Sequence, residues 1–166
     1  MKKHMMIFIT IFLVFSLSSC SNEKTIRLTS NSQKESPSTV LSIEAPEQSS
    51  KKDLVVIKVG VGKRIHSQYN LYNHTILSID APGVIVDSSN DLYSKTFDLT
   101  QEEYLCDKDN NPQYFVDIPL NFGNCTQLSG TITIKLISYF SSGETNGASL
   151  YINYMVENGK IIFSAR

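Results

Sequence analysis

From Thr131 the chain reads Thr-Ile-Thr-Ile-Lys-Leu, and this strict alternation of polar with apolar side chains limits its folds more than any other feature. A period of two sets successive side chains on opposite faces of an extended strand, so Ile132, Ile134 and Leu136 point one way. A helix would scatter them around its axis. The pattern returns at Leu150, Ile152, Tyr154 and Val156, breaks at Glu157-Asn158-Gly159-Lys160, and resumes at Ile161 and Phe163. Asn-Gly accepts the positive φ angles of a type I′ turn, so these two runs are predicted to form a hairpin.

Shorter runs of the same kind come earlier. Leu54 to Val61, Thr75 to Ile79, Val84 to Val86, Tyr93 to Leu99 and Tyr114 to Leu120 each read as a strand, and Asp80-Ala81-Pro82-Gly83 reads as a turn. Pro119 cannot donate to a ladder, which marks an edge or a strand end. No amphipathic helix of ordinary length follows Cys20. The expected fold is all-β, a single antiparallel β-sandwich of seven or eight strands over residues 53–166.

The N-terminus has a different character. Lys2 and Lys3 precede an apolar run from Met5 to Leu17, about thirteen residues long and short of the ~20 that a helix needs to span a bilayer. Small residues follow it, which completes a secretory signal. Leu17-Ser18-Ser19-Cys20 resembles the lipobox of bacterial lipoproteins. That resemblance implies cleavage after Ser19, leaving residues 1–19 as signal peptide, and acylation of Cys20 as the new N-terminus with at least two chains. Two chains hold a protein stably on a membrane where one does not. An ordinary secretory signal or an uncleaved anchor is the alternative. The implied location is the bacterial cell envelope, outside the cytoplasm, with the membrane as a partner through Cys20.

Residues 20–52 read as anchor and tether. They are rich in Ser, Asn, Gln, Glu and Lys, and carry Pro37 and Pro46. As a flexible coil they would reach on the order of 30 Å and lift the domain clear of the headgroups. Thr39-Val40-Leu41-Ser42-Ile43 alternates and is the alternative first strand, so the boundary falls between Ser38 and Asp53.

With Cys20 lipidated, Cys106 and Cys125 remain as an even pair in an exported protein, and are expected to form a disulfide worth roughly 3 kcal/mol. Thr100 and Glu103 stand in capping-box register for one helical turn. Tyr104-Leu105-Cys106 then resembles the tyrosine corner of immunoglobulin domains, which implies an Ig-like sandwich. The pattern departs from that family in two ways: the partner cysteine lies downstream, and the chain has no tryptophan.

Little chemistry of turnover is present. The formal charge of the 166 residues is −1, or −3 once Lys2 and Lys3 are removed, with no basic stripe for a nucleic acid. His66 and His74 read as surface histidines before they read as general bases. There is no G-x-S-x-G elbow, and the two S-x-x-K matches fall at Ser21 and Ser49, in the tether. Asp107, Asp109 and Asn111 alternate as the first ligands of an EF-hand do, but Pro112 replaces the required glycine and Ile118 the bidentate Glu. They remain candidates for a looser calcium site, and no cofactor is expected.

The stretch from Arg64 to His74 carries the binding expectation. Tyrosine with Asn and Ser is the composition of recognition loops, and Tyr69, Asn70, Tyr72 and His74 are the candidate contacts. The competing view makes Tyr69 and Leu71 core residues of an ordinary strand. The sequence thus points first to a non-catalytic binding or adhesion module for an envelope or extracellular protein or glycan. A structural or assembly accessory of an envelope complex is the alternative, and an enzyme comes third.

Overall fold

A computed structural model describes residues 24–31, 38–52, 54–64, 72–87, 89, 92–99, 106, 109 and 111–166. These residues form ten strands and no helix: β1 (Thr25–Asn31), β2 (Ser38–Pro46), β3 (Gln48–Ser49), β4 (Val55–Arg64), β5 (Tyr72–Asp80), β6 (Ser94–Asp98), β7 (Tyr114–Leu120), β8 (Ser129–Phe140), β9 (Thr145–Glu157) and β10 (Lys160–Ala165). The smaller sheet has the order β1-β2-β4-β7 and the larger β3-β10-β9-β8-β5-β6. Every pairing is antiparallel. The protein is a β-sandwich, the architecture expected, with ten strands rather than seven or eight.

Period-two alternation builds the core. Val55, Ile57, Val59 and Val61 of β4 share one buried core with Ile132, Ile134 and Leu136 of β8 and Ile152 and Tyr154 of β9, all at most 3% exposed. Leu41, Ile43 and Ala45 of β2 complete the inner face of the smaller sheet. The predicted terminal hairpin is present, with Lys160 opposite Glu157 and positive φ at Asn158 (49°) and Gly159 (78°).

Two expectations are corrected. The first is the tether: of residues 20–52, 25–31, 38–46 and 48–49 are strands of the two sheets. Folded structure therefore lies ahead of the boundary placed between Ser38 and Asp53, and Thr39 to Ile43 falls in β2 as the alternative reading had it. Only Ile26 and Leu28 of β1 reach the core, and its outward residues are polar, so its composition resembles a linker. The second concerns the cysteines. No disulfide joins Cys106 to Cys125. Cys106 bridges to Pro112 just before β7, while Cys125 follows its far end. Seven residues of strand separate them by roughly 20 Å, against the ~7 Å a disulfide tolerates. Cys106 instead tucks against Gly62, where a side chain would meet its Sγ at 2.5 Å. Thr100, Glu103 and Tyr104 lie outside the described residues.

The register places five features at one end of the sandwich: the start of β1, the β2–β3–β4 connection, the β5–β6 connection, the β7–β8 connection and the β9–β10 hairpin. We call this end the base. Hydrogen bonds tie its loops together. Phe122 N donates to Lys52 O (2.8 Å), Val156 N to Leu128 O (2.7 Å), and Asn121 and Ile85 exchange a backbone pair. The hydroxyl of Tyr154, a residue buried beneath them, lies 3.2 Å from Pro82 O and 3.3 Å from Gln127 Oε1.

Candidate functional site

Alternation along β8 continues past the interior residues, so Ile137 and Tyr139 take the outward phase and stay 38% and 37% exposed. The register then decides their neighbours. His74 of β5 stands opposite Tyr139, which stands opposite Thr145 of β9. The next row runs Asp98, Ile76, Ile137, Gly147, and the fourth Ser94, Asp80, Thr133, Tyr151. Gly147 offers Ile137 no covering side chain, which leaves the isoleucine open on that flank.

The His74 ring lies 5.7 Å from the Tyr139 ring at a tilt of 41°, and its Nδ1 lies 4.0 Å from Asp98 Oδ1. Further along, the Arg166 guanidinium stands 5.3 Å over the Tyr151 ring. The face therefore offers a flat apolar and aromatic floor bordered by an imidazole, a carboxylate and hydroxyls. Such a surface can stack on an apolar or planar group and hydrogen-bond its rim.

Of the expected contacts, His74 lies in this cluster. Tyr72 is in β5 opposite Phe140, with a register shift between it and His74. Tyr69, Asn70 and His66 lie outside the described residues, as do Asp107 and Cys20. Asp109 and Asn111 are exposed ahead of β7. Among the described residues no three His, Cys, Asp or Glu gather as a metal site would require. Ile137 and Tyr139 are exposed residues of this face that loop composition misses; their signal is the outward phase of an otherwise apolar-inward strand.

The outer face of the smaller sheet is of another kind. Arg27, Glu44, Lys58 and Asp117 lie side by side across all four strands with alternating charge. Arg27 Nε is 3.2 Å from Glu44 Oε1, and Lys58 Nζ stands 5.3 Å over the Phe115 ring. Arg27 and Glu44 pair across β1 and β2, while Val56 and Phe115 stay 45% and 43% exposed on the same face. It thus mixes charge with isolated apolar side chains and, among the described residues, lacks the imidazole and tyrosine cluster of the larger sheet.

No protein-family model, no curated protein and no solved structure matches the chain.

Proposed function

We propose that this chain is a lipoprotein of the bacterial envelope, acylated at Cys20, whose β-sandwich binds an envelope or extracellular protein or glycan through the outer face of its larger sheet. The observation that carries the reading is the exposed His74–Ile137–Tyr139 cluster. Tyrosine and histidine expose large, stiff surfaces that lose little rotamer freedom on contact. Tyr69, Asn70 and Tyr72 precede His74 in the chain and are proposed as further contacts. The role is non-catalytic.

Photocrosslinking from position 139 in intact cells tests it, with captured partners identified by mass spectrometry. Tyr139→Ala and His74→Ala lower partner capture by roughly tenfold or more, as truncation of a contact anchor does, while leaving the melting temperature near that of the parent. Capture unchanged by both substitutions overturns the reading. The envelope-accessory alternative draws on β1, which ends the smaller sheet and can extend it by strand addition.

A further inference from the structure

Four large apolar side chains stand out on the base of the sandwich. Leu54 of the β3–β4 connection is 56% exposed, Leu92 and Tyr93 of the β5–β6 connection 48% and 53%, and Leu128 of the β7–β8 connection 73%. They are the most exposed large hydrophobics among the described residues. Exposed apolar side chains scattered singly are ordinary, whereas several gathered at one end of a fold mark a contact surface. The β8–β9 hairpin at the opposite end, Ser141-Ser142-Gly143-Glu144, is polar throughout.

The base is also the end at which the chain enters the fold. Four residues separate Cys20 from Thr25, so the anchor residue lies within roughly 18 Å of β1 even at full extension. Exposed Lys24, Lys51 and Lys52 surround the entry point. Glu47 and Glu157 stand among them, so the end is mixed in charge and the apolar side chains dominate. The hydrogen bonds linking these loops hold them ready, with little left to order on contact.

We infer that the base docks on the bilayer, with Leu54, Leu92, Tyr93 and Leu128 entering the interfacial region and the lysines meeting anionic headgroups. The inference rests on the anchoring of Cys20 proposed above. Aromatic and aliphatic residues favour this interface, and lysines near it gain from anionic lipid. Docked this way, the domain sits upright and directs the β8–β9 hairpin and the His74 end of the larger sheet away from the membrane.

The chain has no tryptophan, so Leu54→Trp, Leu128→Trp and Ser142→Trp each introduce a single fluorophore. The full-length protein is purified from membranes and reconstituted into phosphatidylcholine vesicles with or without phosphatidylglycerol. Brominated acyl chains report the depth of each fluorophore, and intact mass reports the state of Cys20. The expected result is blue-shifted, bromine-quenched emission from Leu54→Trp and Leu128→Trp but not from Ser142→Trp. Adding Lys51→Glu with Lys52→Glu reduces the quenching in anionic vesicles by roughly twofold. Emission from all three that is equally unquenched, on acylated protein held on the vesicles, overturns the docking and leaves the anchor intact. An unmodified Cys20 on a chain that fails to float overturns the anchor and the docking together. Quenching with an unmodified Cys20 upholds the docking and removes the anchor.

Discussion

Tyr154 shows how much one side chain organises. Its ring is 2% exposed and meets Phe122 edge-on at 5.1 Å, while its hydroxyl reaches Pro82 O. Burial, with the nearby Cys125 thiol, pushes the phenol up to about 12 from 10.0. The folded state thus holds the proton more tightly than the unfolded chain, so the stabilisation is complete below pH 10 and is lost as pH rises towards about 12. Tyr154→Phe should cost about 1 kcal/mol in urea unfolding at neutral pH. The gap to the parent should narrow steadily across that alkaline window. Gly130 makes the room: a Cβ there would meet the Tyr154 ring at 2.7 Å. Gly130→Ala should cost about 1–3 kcal/mol by overpacking, and an unchanged urea midpoint would mean that the ring has another place to go. That Tyr154 points inward is legible in its alternation with Ile152. Its hydroxyl partner is not, because Pro82 lies 72 residues away in sequence.

Among the elements, the β9–β10 hairpin depends on local chemistry alone. Gly159 has a φ of 78°, and no atom lies within 4 Å of where a Cβ would stand, so substitution there meets backbone strain and no clash. Gly159→Val should therefore cost about 1–2 kcal/mol, read as a shift in the thermal midpoint. The first three strands depend on partners instead. Leu41 and Ile43 are fully buried, and β2 is the sole link between β1 and β4. A chain beginning at Asp53 should fail to give a cooperative transition by circular dichroism, whereas one beginning at Lys24 should melt as the full domain does. Thr39 to Ile43 shows its alternation in sequence. The role of β1 does not show there, since two half-buried apolar residues among polar ones look like linker until β2 is placed beside them.

Across the molecule as a whole, the described loops differ in character from one end of the sandwich to the other. The base is apolar at its loop tips, and the opposite hairpin is polar. Cys20→Ser should release the protein from membranes or leave it unprocessed, seen by flotation and intact mass. The cysteines lie at opposite ends of β7, so after unfolding without reductant both Cys106 and Cys125 should be fully alkylated. Reductant should leave the melting temperature unchanged. Recovery of a peptide linked through those two residues would contradict the register of β7 against β4.

Which residues extend, which side chains point inward and where the last hairpin turns are all written in the local pattern of the chain. Alternation and Asn-Gly chemistry act over a few neighbouring residues, so they can be read without knowing the rest. Parity suggests a cysteine pair and composition suggests a tether, and neither quantity contains distance. Packing is what puts β1 and β2 in the sandwich and lets β7 hold the cysteines apart. It also brings His74 beside Tyr139 and sets Leu54, Leu92 and Leu128 at one end. Each of these follows from strand order, which is fixed by burying many apolar faces at once across long sequence separations.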